Sequence, residues 1–296
     1  MDGFLLVDKP RGWTSRQVVD CAAEVLKTRR VGHAGTLDPI ATGLVVVCVG
    51  KATRLTQFLH QGAKEYLALF QLGVTSPTDD ADGPLSPVGA PGEPSQAEVE
   101  TVLRSFIGRI MQRPPAYSAI KLGGKRAYDL ARAGKEIELQ PRPVEIHALE
   151  LVRYQYPWLE IAVRCGPGTY IRALGRDIAE RLGTGAVMHG LVRLRLGPFR
   201  LEGAVRPDKL TRETAPQLLH PMDSAVADLP RVVLERPAAI ALLHGQQVYC
   251  GAQYSHIPVG SHVAVYDIAQ NLLGVSLVTS LGSIRPVVNL RSASAL

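Results

Sequence analysis

Aromatic residues make up only 5% of the 296-residue chain, and no run of 18 apolar residues occurs anywhere in it. The second absence excludes a membrane-spanning helix. Met1 to Pro10 carries no basic n-region and reaches a proline too early for a secretory signal. Four cysteines, Cys21, Cys48, Cys165 and Cys250, lie far apart, with no Cys-x-x-Cys pair and no histidine at ligand spacing. They read as buried core thiols of a reducing compartment, and no metal site is expected. A Walker loop and a Gly-x-Gly-x-x-Gly fingerprint are also missing, so no nucleotide cofactor is implied. These absences describe a cytoplasmic protein.

What is present is a sizeable core and an uneven positive charge. Apolar residues reach 46%, and the length suits about two domains. The net charge is +6, but Arg104, Arg109, Arg113, Lys121, Lys125, Arg126, Arg132 and Lys135 fall in one stretch. A second group runs from Arg172 through Arg176, Arg181, Arg193 and Arg195 to Arg200. Such density suits a phosphate backbone, and equally a solvated basic face.

Along the chain, strands and helices interleave without a regular βαβ repeat. Gly3–Val7 predicts a strand, and Thr14 with Gln17 predicts a capped helix behind it. Ser95 with Glu98 forms a second capping box. Val144–Tyr154 and Trp158–Cys165 read as paired strands, and Thr169–Leu182 as a helix with Ile171, Leu174, Ile178 and Leu182 on one face. The pattern favours α+β with a mixed, mainly antiparallel sheet. Residues 122–143, opened by Gly123-Gly124 and closed by Pro141-Arg142-Pro143, read as a protruding basic insertion with a short helix over Ala127–Arg132. The expected division is 1–215 and a small, mostly β unit over 220–296, carrying strands near His262–Tyr266, Leu272–Thr279 and Ile284–Leu290.

The most informative segment is Gly32-His33-Ala34-Gly35-Thr36-Leu37-Asp38-Pro39, followed by the apolar run Leu44–Val49. Gly32 and Gly35 permit positive φ, and Pro39 biases Asp38 toward an extended backbone. A carboxylate on a stiff loop beside a buried strand is a way to hold one reactive group still. Taken alone, it also fits an Asx turn. Arg172 falls in the first turn of a helix, where a cation opposes the helix dipole. It serves either as the partner of Asp38, lowering its pKa, or as a surface ion pair. Tyr66 sits on an alternating strand, as a packing residue or as a flat platform for a base.

GHAGTLDPIATGLV resembles the catalytic segment of the TruB family of tRNA pseudouridine synthases, with Asp38 at the place of the essential aspartate. The resemblance extends to Asp8-Lys9-Pro10-Arg11-Gly12-Trp13-Thr14-Ser15, to Lys64-Glu65-Tyr66, to Gly168-Thr169-Tyr170-Ile171-Arg172, and to Leu191-Val192-Arg193 with Gly197-Pro198-Phe199. The C-terminal unit resembles a PUA-type RNA-binding domain more softly, through Gly245-Gln246, Val265-Tyr266-Asp267 and Leu273-Gly274-Val275. Two departures stand out: the family has arginine where Val192 stands, and a Gly-Ala-His-Met or Gly-Ala-His-Val pattern where Val187 and Met188 stand.

The resemblance implies isomerisation of a uridine to pseudouridine at position 55 in the T-loop of tRNA, with no cofactor. Asp38 would act at the ribose, Arg172 would pair with it, and Tyr66 and Leu191 would sandwich a flipped uracil. His33 would fill the space that the nucleotide leaves. Lys9 would buttress the loop or touch RNA, and Lys121, Lys125 and Arg126 would grip the T-arm. No obligatory protein partner is expected, and a monomer is. Two other readings stay open: a non-catalytic tRNA-binding or tRNA-folding protein, and a guide-RNA-dependent synthase subunit.

Overall fold

Two short strands explain how the molecule is layered. In Gly3–Lys9 (β1), Leu5 and Val7 enter one apolar cluster while Phe4 and Leu6 enter another. In Thr42–Val49 (β3), Val45, Val47 and Val49 face the first cluster and Leu44, Val46 and Cys48 the second. Side chains alternate between faces, so a strand covered on both sides must read as an unbroken apolar run. The chain is described here from a computed structural model that covers all residues except 90–91, 118–120, 123–124, 127–138 and 294–296, with backbone alone for 121–122 and 125–126.

The main sheet has nine strands among the described residues. Besides β1 and β3 it contains Val31–His33 (β2), Lys64–Leu72 (β4), Gly108–Gln112 (β5), Arg142–Gln155 (β6), Trp158–Cys165 (β7), Ala186–Leu196 (β8) and Phe199–Arg200 (β9). The order is β1-β3-β8-β4-β7-β6-β5, with β2 on β3 and β9 on β8. Among the pairings between these described strands, only β3–β8 is parallel. The mixed, mainly antiparallel α+β architecture is therefore as expected. Gly32 lies inside β2 and takes no positive φ, whereas Gly35 does, at +110°.

Helices cover the face of the first cluster. Ser15–Val25 (α1) and Gln96–Ser105 (α3) both begin with the capping boxes that Thr14–Gln17 and Ser95–Glu98 predict. Thr56–Gln61 (α2), which follows a 3₁₀ segment over Gly50–Leu55, packs Phe58 and Leu59 into the second cluster instead. Ile171–Arg181 (α4) buries Ile171, Leu174 and Ile178 against the sheet. The second face of β1 and β3 meets a five-stranded sheet: Arg231–Leu234 (β10), Val248–Tyr249 (β11), His262–Asp267 (β12), Leu272–Ser280 (β13) and Ser283–Asn289 (β14), in the order β10-β12-β13-β14-β11. Arg236–Leu243 (α5) follows β10. Ala264, Val275 and Val288 of this sheet share the second cluster with Phe4 and Leu44, which joins the two sheets through one apolar layer.

Cys48 and Cys165 are buried thiols, but Cys21 and Cys250 are only half-buried. The basic stretch over 122–143, including the helix expected at 127–132, lies mostly outside the described residues; Lys121–Leu122 and Lys125–Arg126 pair as a short antiparallel hairpin.

Gly175 shows how tightly α4 meets the sheet. A Cβ there would lie 2.0 Å from Cε1 of Phe70 on β4, so the ring packs against bare helix backbone. Alanine favours a helix over glycine by about 1 kcal/mol. Gly175→Ala is nevertheless expected to destabilise the protein by about 1–3 kcal/mol through overpacking. A lower urea midpoint at unchanged slope would check this.

Candidate active site

The segment between β2 and β3 is gripped from three sides, and each grip comes from a different part of the chain. In front, the turn Pro10–Trp13 and the start of α1 hold its backbone. The Leu37 amide donates to Ser15 Oγ at 2.8 Å, and the Gly12 amide donates to the Pro39 carbonyl at 2.8 Å. Lys9 is fully buried and donates through Nζ to the carbonyls of Trp13, Pro10 and Pro39, at 2.6, 3.2 and 3.3 Å. Burial brings its ammonium down to about 8, against the opposing pull of Asp38. A lysine spent on three internal carbonyls has no surface to offer RNA. Of its two expected roles, the buttress is the one this burial fits, and RNA contact is corrected.

Underneath lies Arg193 on β8, 1% exposed. Its Nε donates to the Leu44 carbonyl at 2.7 Å, and its Nη2 donates to the Gly35 carbonyl at 3.0 Å. Gly43 allows β8 to come this close, since a Cβ there would meet the Arg193 carbonyl at 2.6 Å.

From the side comes Arg172, the second residue of α4, with 7% of its side chain exposed. Its Nε lies 2.9 Å from Asp38 Oδ2 and its Nη2 donates to Oδ1 at 3.2 Å, so both carboxylate oxygens are engaged. Nη1 donates to the Thr78 carbonyl at 2.7 Å and lies 3.3 Å from Asp80 Oδ2, and Nη2 also reaches the Tyr117 carbonyl at 3.1 Å. Two carboxylates, one in the cleft and one behind it, and two backbone carbonyls thus surround the guanidinium, although the Nε contact with Asp38 lacks hydrogen-bond geometry.

About a third of the Asp38 side chain stays exposed, pointing at the opening. Burial pushes its carboxyl above the ordinary aspartate value; Arg172 and Lys9 pull it back and Asp80 adds to the rise. Arg172 does lower this pKa, as expected, but burial outweighs it and the net shift is upward. The guanidinium on both oxygens favours the ionised form of Asp38 and opposes the effect of burial.

Asp38, Arg172, Tyr66 and Leu191 line one cleft of about 290 Å³, together with Tyr170 and Arg193. Tyr66 and Leu191 are 7% and 6% exposed, and the Tyr66 phenol is held un-ionised by burial. The cleft is small and open, on the scale of a single flat ring. His33, on β2, is not among its lining residues, and burial lowers its pKa, which keeps the ring neutral. The side chains of Lys121, Lys125 and Arg126 lie outside the described residues. Val187 and Met188, at the departure noted above, are fully buried in the sheet.

Several functional partners escape a reading of the sequence. Ser76–Gly83 reads there as a plain turn, yet Thr78 Oγ1 donates to Asp80 Oδ1 at 2.6 Å and so aims Asp80 at Arg172. Asp79, at φ +58°, pairs with Arg176 at 2.7 Å. Two adjacent aspartates facing two arginines four residues apart on a helix is the signal that was available. Gln112, 1% exposed, accepts from the Tyr170 amide at 2.9 Å and donates to its carbonyl at 3.1 Å, locking the entry to α4. The sequence places Arg193 in a family segment but gives no sign of the carbonyls that close around it.

Residues 23–171 match the family model of the TruB family pseudouridylate synthase, N-terminal domain. The tRNA pseudouridine synthase B of Methylobacillus flagellatus is 40% identical over 99% of this chain and 96% of its own. That of Nitrosospira multiformis is 42% identical over 97% and 94%. Among solved structures, a chain of a Cbf5-Nop10-Gar1 complex superposes with a TM-score of 0.77 at 26% identity, over 99% of this chain and 86% of that one.

The Ser15 clamp makes a direct prediction. Ser15→Ala leaves the buried Leu37 amide without its acceptor, so stability is expected to fall by about 1–3 kcal/mol. Equilibrium urea unfolding, compared with wild type, reads it.

Proposed function

This chain belongs to the TruB family of pseudouridylate synthases, and from that membership we propose that it converts uridine to pseudouridine at position 55 in the T-loop of tRNA. The observation that carries the proposal is the two-point pairing of Asp38 with Arg172 at an open cleft flanked by Tyr66 and Leu191. The reaction breaks the N1–C1′ bond, turns the uracil and rejoins it through C5. It is redox-neutral and transfers no group to a second molecule.

The target uridine leaves its stack and enters the cleft, at a cost of a few kcal/mol. A loop is where this is least costly, because its bases are already partly unpaired. Tyr66 and Leu191 flank the uracil, and the ribose comes to rest against Asp38. The carboxylate then acts either by attack at C1′ or by removing the C2′ proton. Arg172 serves both routes by keeping Asp38 ionised and fixing its two oxygens in space. His33 occupies the place vacated by the flipped nucleotide. Residues 1–215 carry the chemistry; Lys121, Lys125, Arg126 and the unit at 220–296 supply RNA contacts.

The protein is proposed to work in the cytoplasm as a monomer that needs no guide RNA or protein partner. Support comes from the 40% identity over nearly the full length to proteins named tRNA pseudouridine synthase B, against 26% to the Cbf5 complex chain. Mapping of modified uridines on an unmodified tRNA transcript, with purified protein alone, tests the site and the independence together.

Asp38→Asn is expected to lower the single-turnover rate by at least ~10³-fold, as removal of a reacting group does, while tRNA affinity stays within about threefold. Retained activity would leave only a binding role. The pH dependence has a definite sign. Activity requires the carboxylate, so it is lost as pH falls through the Asp38 pKa. Because burial raises that pKa, the acid limb is expected above the ordinary aspartate value of 3.8. A limb at or below 3.8 in a stopped single-turnover series would contradict it.

A further inference from the structure

Arg193 is 1% exposed, yet among the described residues no carboxylate pairs with it. The contrast with its neighbours is sharp: Arg172 holds Asp38 and Asp80, and Arg176 holds Asp79 and Asp177. The donors of Arg193 go to the carbonyls of Leu44, Gly35 and Thr36, at 2.7, 3.0 and 3.5 Å. Carbonyl dipoles satisfy hydrogen bonds but leave a full positive charge in place. Burying an ion costs several kcal/mol, and a neutral amide could hold the same loop for less. Arg193 is paired in register with Tyr66 on β4, and both side chains line the cleft that Asp38 faces. The Tyr66 phenol, its cross-strand neighbour, interacts with the guanidinium through charge and through side-chain hydrogen bonding.

Resting on the reading above, the uracil leaves C1′ with the electron pair of the N1–C1′ bond, whichever route Asp38 takes. The ring is then anionic, with the charge spread over N1, O2 and O4. We propose that Arg193 is the fixed positive charge that stabilises the uracil ring as it departs from C1′. The negative charge is neutralised as C5 donates its electron pair to C1′, and the neutral adduct then loses its C5 proton while N1 takes one from solvent. Arg193 gives and takes no proton; it acts by its field, which is strong because the site is buried and needs no reorganisation. The same guanidinium holds the Gly35–Thr36 backbone, so the loop bearing Asp38 and the charge behind the base are set by one side chain.

The test compares two full-length tRNA transcripts, one with uridine and one with 5-fluorouridine at the target. Fluorine at C5 makes the ring a better leaving group and removes the C5 proton as a variable. Single-turnover rearrangement of each is followed by mass analysis of the digested nucleosides. Arg193→Met is expected to slow uridine by about 10²–10³-fold, the scale of a lost preorganised electrostatic contact. The loss on 5-fluorouridine is expected to be roughly tenfold smaller, because less charge stabilisation is needed. Arg193→Lys, which keeps the charge, should retain the wild-type ratio between the two substrates. If Arg193→Met fails to fold, Arg193→Gln carries the same comparison, since its amide reaches toward the loop without charge. Equal losses on both substrates would overturn the proposal and leave Arg193 a loop clamp. Wild-type protein that forms no pseudouridine would overturn the underlying reading instead, and this proposal with it.

Discussion

The Arg172 guanidinium is the contact on which the site depends. It joins Asp38, 134 residues earlier in the chain, to the Thr78–Asp80 turn and to the carbonyl of Tyr117. Breaking a buried pair by removing one partner typically costs about 3–5 kcal/mol, because the other charge is left uncompensated. Such a hub tolerates little displacement. Everything around it serves to keep α4 and the Asp38 loop at a fixed separation: Gln112 at the helix entry, Phe70 against Gly175 along the helix, and Ser15, Lys9 and Arg193 on the loop.

The arrangement also explains why the sheet needs a cover on each side. β3 follows the loop directly and sits between the helix-covered cluster and the layer shared with the C-terminal sheet. A strand buried on both faces is held in register by both. Asp38 is therefore anchored at one end to a strand buried on both faces. The C-terminal sheet contributes to this rigidity through Ala264, Val275 and Val288, apart from any part it plays in binding RNA.

Much of this was legible in the linear chain. The capping boxes at Thr14 and Ser95, the apolar face of α4, the antiparallel strands of residues 142–165 and the positive φ of Gly35 rest on local rules that act within a few residues. Asp38, Arg172, Tyr66 and Leu191 were legible through their family segments, and they line one cleft. Other features were not. Lys9 reads as either a buttress or an RNA contact, because nothing in its neighbours says that three carbonyls will close around it. Asp79 and Asp80 read as turn aspartates, because their partners lie 97 and 92 positions away, at Arg176 and Arg172.

The sequence by itself determined the class of fold and the stiffness of the Gly35–Pro39 loop, which follow from alternation and from glycine and proline geometry, and it pointed to the loop's carboxylate through the family segment. Tertiary structure alone decided the electrostatics. Burial raises Asp38 despite its arginine, spends Lys9 on backbone carbonyls and, among the described residues, leaves Arg193 charged without a carboxylate. The reason is physical: desolvation and charge pairing depend on distances between segments far apart in the chain, and no local pattern encodes them.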